Sequence, residues 1–186
     1  MKKILILVIS IFMIFFKNSS EATYDKLIYD FTINSITGEV INFADYKNKP
    51  ILLVNVASYC GFTSQYNDLQ KLWEKYQKKN VIVIGIPSKS FNQEKNTNEE
   101  VKNFCKINFN IDFPLTEIYD VKGKNAHDIY KWAKKNYGKG AIPKWNFHKI
   151  LIDKNGKIID TFVSFTNPMS NKIISVIEKI IKYFYL

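Results

Sequence analysis

Two cysteines, Cys60 and Cys105, are the residues of this chain whose side chains could carry out redox chemistry. Cys60 lies in V-N-V-A-S-Y-C-G-F-T-S-Q-Y at residues 54–66, where an apolar run ends and a helical pattern begins. At the start of a helix, backbone N–H groups and the helix dipole favour an anion, and so favour the nucleophilic thiolate. Cys60 is therefore a candidate to attack a peroxide oxygen or a disulfide sulfur. The alternative is that Cys60 is a small buried apolar side chain.

Other kinds of catalytic site have little support in the sequence. Thr63 occupies the place of the second cysteine of a C-x-x-C motif, so Cys60 has no partner next to it. The two histidines, His127 and His148, have no compact zinc-ligand spacing. No Gly-rich phosphate loop and no G-x-S-x-G motif occurs. The sequence therefore predicts neither a metal nor another cofactor.

The elements that must position these residues follow from the apolar pattern. Continuous apolar runs predict strands, and apolar residues repeating at helical spacing predict helices. The predicted strands cover residues 27–33, 39–43, 51–57, 81–86, 149–153 and 157–162, and the predicted helices cover 66–76, 98–107, 127–136 and 170–183. This order predicts a single α/β domain with the thioredoxin fold, in which helices flank a central mixed sheet and a β-hairpin is added at the N-terminus.

The N-terminus resembles a secretory signal. M-K-K precedes an apolar run over residues 4–16, and Ser20 and Ala22 occupy the −3 and −1 positions of a cleavage site. We expect a signal peptide over 1–22 and a mature domain over 23–186, exported to a bacterial periplasm, where both cysteines would meet an oxidising environment. The run is shorter than the roughly 20 residues that span a bilayer, so no span is expected after cleavage. A retained N-terminal membrane anchor is the alternative.

The net charge of +10 does not indicate a nucleic-acid partner. The excess is mostly lysine and is spread along the chain, with no compact arginine-rich block that would grip phosphates. We expect a solvated basic surface and no nucleic-acid binding.

Several segments resemble the sequence blocks of the glutathione peroxidases, in collinear order from about Leu27 to the C-terminus. Their catalytic signature is resembled by N-V-A-S-Y-C-G-F-T-S-Q-Y-N-D-L at 55–69, and their second block by V-I-G-I-P-S-K-S-F-N-Q-E at 83–94. The region that carries a resolving cysteine in thioredoxin-dependent members is matched by F-C at 104–105 with F-P at 113–114. Their W-N-F motif is resembled by P-K-W-N-F-H-K at 143–149. The resemblance is to the two-cysteine, non-selenium bacterial type.

The resemblance implies a peroxidase and a role for each matching residue. Cys60 would attack a hydroperoxide and become a sulfenic acid. The Trp145 indole and the Asn146 amide would donate hydrogen bonds that stabilise the thiolate and the departing oxygen. Cys105 would resolve the sulfenic acid as a disulfide, which a thioredoxin-like protein would then reduce, whereas glutathione is the reductant in the alternative mechanism with one cysteine.

Ser90 marks a departure from the family pattern. Many relatives carry a glutamine at this position of the second block, and the sequence also has an extra Lys89 and lacks the family glycine after Phe91. Whether Ser90 substitutes for the glutamine as a site residue is left open by the sequence. Two other functions also stay open, namely an exported thiol-disulfide oxidoreductase that acts on proteins and an inactive binding module with a structural disulfide.

Overall fold

A mixed sheet forms the centre of the fold. The computed structural model describes residues 24–182, so the predicted signal peptide and its cleavage site lie outside the described residues. The strands are β1 Thr32–Asn34, β2 Val40–Asn42, β3 Ile51–Val56, β4 Ile82–Pro87, β5 Lys149–Ile152 and β6 Ile158–Phe162. The main sheet has the order β4-β3-β5-β6, and β1 and β2 form a separate hairpin. Both predicted hairpins are therefore confirmed.

The pairing of β3 explains its continuous apolar sequence. It runs parallel to β4 and antiparallel to β5, so both of its edges are hydrogen-bonded. All six of its residues are buried, as expected for a strand that is covered on both faces. The parallel β3–β4 pair requires a crossover, and the first helix provides it.

Four helices cover the sheet. They are α1 Gln65–Tyr76, α2 Asn98–Phe109, α3 Asp128–Tyr137 and α4 Asn171–Lys182. Side chains from β3 divide between two apolar clusters, because successive residues of a strand point to opposite faces. Leu52 and Val54 pack with α1, α2 and α4, whereas Ile51 and Leu53 pack with α3 and the N-terminal hairpin. The α/β thioredoxin fold predicted from the order of elements is thus observed.

Two boundaries differ by two residues or more from those predicted, for local reasons. The strand predicted over 27–33 is shortened, because Ile28–Asp30 forms a 3-10 turn in which the Asp30 carboxylate accepts the Leu27 N–H at 2.8 Å. The helix predicted to end at 107 continues to Phe109, where Asn110 ends it in the left-handed conformation. At its other end, the predicted Thr97 cap is confirmed.

Two adjacent basic side chains are buried where β5 begins. Lys149 is fully buried, and its Nζ donates to Gln65 Oε1 and to the Thr166 carbonyl, both at 2.6 Å. Burial lowers the pKa of Lys149 to about 7. His148 is 5% exposed, and burial, together with the nearby Lys149 charge, lowers its pKa to about 4. The folded protein therefore holds His148 neutral down to acidic pH.

This burial predicts a loss of stability at acidic pH that the variant His148→Leu should lack. Between pH 6.5 and about 4, the unfolded chain binds a proton at His148 that the folded chain does not, so stability falls as pH falls through this window. The loss should reach at most about 3 kcal/mol. Urea unfolding of both proteins at pH 7 and pH 4.5 measures it, and equal losses in the two proteins would contradict the assignment.

Candidate active site

Cys60 lies in a turn that follows β3. Its side chain is 7% exposed, and the Phe62 N–H donates to its Sγ at 3.4 Å. The Thr63 hydroxyl oxygen fixes the turn, because it accepts the Cys60 N–H at 3.0 Å and lies 3.0 Å from the Ala57 carbonyl. A backbone N–H that points at the sulfur favours negative charge on it.

The position of Cys60 relative to α1 corrects the interpretation drawn from the sequence. The helix begins at Gln65, so Cys60 lies five residues before it and not at its first turn. The reason is the Thr63 hydroxyl, whose hydrogen bonds favour a separate turn over an earlier helix start. The N–H that contacts the sulfur thus belongs to Phe62 in this turn and not to the first turn of α1.

Gln93 and Glu94 hold the Cys60 turn from the second sequence block. The Gln93 carbonyl accepts the Tyr59 N–H at 2.9 Å, and Glu94 Oε1 accepts the Ser58 N–H at 3.0 Å. Both residues are contiguous with the segment that leads into α2. This dipeptide therefore fixes the backbone on the N-terminal side of Cys60.

The W-N-F segment is attached to the same place by Asn55 in β3. The Asn55 side chain donates to the Trp145 carbonyl at 3.2 Å and accepts the His148 N–H at 3.1 Å. Its own carbonyl accepts the Phe147 N–H, and Phe147 adopts a positive φ of 61° to meet it. The amide of Asn55 thus holds both ends of this segment against the end of β3.

Gln93 links Asn146 to the Cys60 turn. Asn146 is fully buried, and its Nδ2 donates to Gln93 Oε1 at 2.9 Å. Because the Gln93 backbone also binds Tyr59, one residue connects Asn146 to the neighbour of Cys60. Trp145 is 41% exposed and its ring packs on Phe91 at 5.3 Å, which is the environment of a surface-facing residue and not of a core tryptophan.

Ser90 is engaged elsewhere. Its hydroxyl donates to the Asp120 carboxylate at 3.2 Å and accepts the Val121 N–H at 3.0 Å. These contacts attach the second block to the loop before α3. Among the described residues, no hydrogen bond joins Ser90 to Cys60, Trp145 or Asn146.

Cys105 lies inside α2 with 1% of its surface exposed, and both cysteines are free thiols. Burial raises the pKa of Cys105 to about 12, although the facing Tyr66 hydroxyl lowers it in part. Only Val101 and Cys105 are fully buried in this helix. Phe104 and Phe109 of the same helix are partly buried and pack against the core as well.

Two residues of the site were not identified from the sequence. Asn55 interrupts an otherwise apolar strand, and a polar residue at such a position must find partners when buried. Gln93 stands in the second block three residues after Ser90, and it supplies the amide that contacts Asn146.

Within residues 24–182, no group of histidine, cysteine and acidic side chains is arranged to hold a metal ion.

Comparisons with known proteins identify the family of this chain. Residues 28–134, more than half of the chain, match the glutathione peroxidase family model. A glutathione peroxidase of Lactococcus lactis is 40% identical over 144 residues, covering 75% of this chain and 91% of the relative. The glutathione peroxidase-like peroxiredoxin 2 of Saccharomyces cerevisiae is 40% identical over 148 residues, covering 76% and 90%.

A solved structure shows the same fold over most of the chain. The crystal structure of Trgpx in its apo form superposes with a TM-score of 0.66 and 32% identity, covering 84% of this chain and 97% of that one. This coverage exceeds the stretch of residues 28–134 that the family model matches. The chain belongs to the glutathione peroxidase family.

Proposed function

We propose that the protein reduces hydrogen peroxide and organic hydroperoxides through a Cys60 sulfenic acid that Cys105 resolves. Membership of the family makes the chain a thiol peroxidase, an oxidoreductase that acts on a peroxide. The assignment of Cys60 rests on one observation above all, which is the Phe62 N–H directed at its sulfur. The other two sequence blocks hold the turn around it, through Gln93 and Asn146.

In the first step, the Cys60 thiolate attacks the terminal oxygen of the hydroperoxide. The S–O bond forms as the O–O bond breaks, and the departing oxygen takes a proton to leave as an alcohol or as water. The Trp145 indole N–H and the second N–H of the Asn146 amide are the donors proposed to stabilise that oxygen. The exposure of Trp145 is consistent with a site that is open to the substrate.

In the second step, the Cys105 sulfur displaces the oxygen from Cys60 and forms a disulfide. Cys105 is buried within α2, and we propose that this helix opens locally so that the two sulfurs can meet. A thioredoxin-like protein would then reduce this disulfide. If Cys105 does not resolve the sulfenic acid, glutathione is the reductant that can attack it directly.

The variant Cys105→Ser decides between these mechanisms. It should still react once with peroxide, but its sulfenic acid should persist, react with a dimedone-type trap and overoxidise at higher peroxide concentration. Turnover supported by thioredoxin should fall at least about 100-fold. Rapid mixing followed by peptide mass mapping measures each species. Cys60→Ser is the matched control and should consume no peroxide.

Other outcomes of the same experiment identify the alternative functions. Full turnover of Cys105→Ser with every reductant would make Cys105 a core residue and favour the glutathione-type mechanism. A wild-type protein that reacts slowly with peroxide but rapidly with disulfides would be a thiol-disulfide oxidoreductase. Reaction with neither would indicate an inactive binding module.

We also propose that the protein is exported and that its mature form begins at Thr23. The support is the M-K-K start, the apolar run and the S-E-A cleavage site. No helix within residues 24–182 has the length and apolar character needed to cross a membrane. A retained N-terminal anchor is the alternative.

N-terminal sequencing of protein purified from the native cell tests the proposed cleavage. The expected first residues are T-Y-D-K, which follow Ala22. The change Ala22→Arg should block processing, because a signal peptidase requires a small residue at this position. Native material that begins at Met1 would contradict the proposal.

A further inference from the structure

Lys149 is a buried basic side chain that takes no part in the proposed reaction steps. It lies where β5 begins and has no exposed surface. None of the ion pairs within the described part of the chain includes it. Its Nζ donates instead to neutral oxygens, which are Gln65 Oε1 and the Thr166 carbonyl at 2.6 Å and the Ser164 carbonyl at 3.5 Å. Burial of a basic group is costly unless its donors are satisfied, so this arrangement calls for an explanation.

The contacts of Lys149 fix the backbone on both sides of Phe165. The Ser164 carbonyl before it also accepts the Gln65 Nε2 at 2.7 Å, so two buried side chains hold this carbonyl. The Phe165 ring itself is 82% exposed, and it packs against the Phe62 ring at 5.1 Å between centroids. A surface ring whose backbone is tied into the core on both sides is held in one place. Here that place is against Phe62.

Gln65 holds Phe62 by a second route. The Gln65 N–H donates to the Phe62 carbonyl at 2.9 Å, and its side-chain oxygen accepts Lys149. Lys149 therefore supports Phe62 through the ring of Phe165 and through the backbone of Gln65. The Phe62 N–H in turn donates to the Cys60 Sγ at 3.4 Å. Both sets of contacts that fix this N–H thus include the buried Nζ of Lys149.

We propose that Lys149 is a positioning residue that keeps the Phe62 N–H directed at the Cys60 sulfur and so keeps the sulfur reactive. This inference rests on the proposed role of Cys60 as the nucleophile. An N–H that donates to the sulfur stabilises negative charge on it and favours the thiolate. The strength of a hydrogen bond depends steeply on its geometry, so a small shift of the Phe62 backbone weakens it. A lysine suits this task because one Nζ can donate to oxygens of two separate segments at once.

The variant Lys149→Met removes the donors and keeps an unbranched side chain of similar length. In a Cys105→Ser background Cys60 is the remaining thiol, so rapid mixing with one equivalent of peroxide follows its oxidation alone. The rate at pH 7 should fall about tenfold or more, as the loss of one hydrogen bond to a charged group implies. The ultraviolet absorbance of the Cys60 thiolate should fall with it, and this signal requires no peroxidase activity.

The variant Phe165→Ala tests the ring contact without disturbing the core, since this side chain is largely exposed. Its rate should fall about threefold, because Gln65 still holds the Phe62 backbone and the hydrogen bond to the sulfur is only weakened. The double variant Lys149→Met/Phe165→Ala should be no slower than Lys149→Met alone, because the ring has already lost its support. Multiplication of the two single effects would overturn the inference.

The variant Ile152→Val is the matched control for lost stability. Ile152 lies in the same strand as Lys149 but belongs to the apolar cluster on the opposite side of the sheet. Loss of a buried methylene should lower its urea midpoint, and the folded variant should keep the wild-type rate and thiolate absorbance. Urea unfolding of every variant defines the conditions under which each one is folded.

Each other result has a distinct meaning. A folded Lys149→Met with the wild-type rate and absorbance would overturn the inference, and so would loss of rate in proportion to lost stability in all variants, Ile152→Val included. If Lys149→Met does not fold, an unchanged Phe165→Ala overturns the inference on its own. A wild type that reacts slowly with peroxide would remove the proposed function, whereas loss of its thiolate absorbance in Lys149→Met would still support the positioning role.

Discussion

The hydrogen bonds of the Asn55 amide are the interaction on which the site depends. Asn55 lies within a fully buried apolar strand, where an unpaired amide would be strongly destabilising. Its side chain instead binds the Trp145 carbonyl and the His148 N–H, two backbone groups that would otherwise be left without partners. Because β3 also leads directly into the Cys60 turn, this one side chain sets the distance between two sequence blocks that lie 90 residues apart in the chain.

The ionisable groups near the site differ in how deeply they are buried. Two lysines near the site are not buried, and Lys95 packs over the Tyr59 ring while Lys122 packs over the Phe91 ring. The groups beneath them, including Glu94 and Cys105, are buried without an ion pair among the described residues. A site of this kind controls protons through desolvation more than through paired charges.

The sequence predicted the strands well because their signal is local. A continuous apolar run such as 51–57 has few alternatives to a buried strand, and the N-G pair at 155–156 has the expected turn, with Gly156 at a φ of 78°. The fate of polar side chains could not be predicted in the same way. The Thr63 hydroxyl delays the start of α1, the Gln93 amide contacts Asn146, and the Ser90 hydroxyl binds Asp120. Each of these groups binds the partner that the tertiary fold brings near, and that partner lies far away in the sequence or in a loop. Alignment of Ser90 with the family glutamine position did not indicate that its hydroxyl binds Asp120.

The edge-to-face contact between Phe62 and Phe165 links the chemistry of the site to the far end of the chain. Phe62 supplies the N–H that points at the Cys60 sulfur, and its ring packs against Phe165 at 5.1 Å between centroids. Phe165 is itself 82% exposed and belongs to the connection between β6 and α4. A displacement of the exposed Phe165 ring would therefore be passed by direct ring contact to the residue whose N–H contacts the Cys60 sulfur.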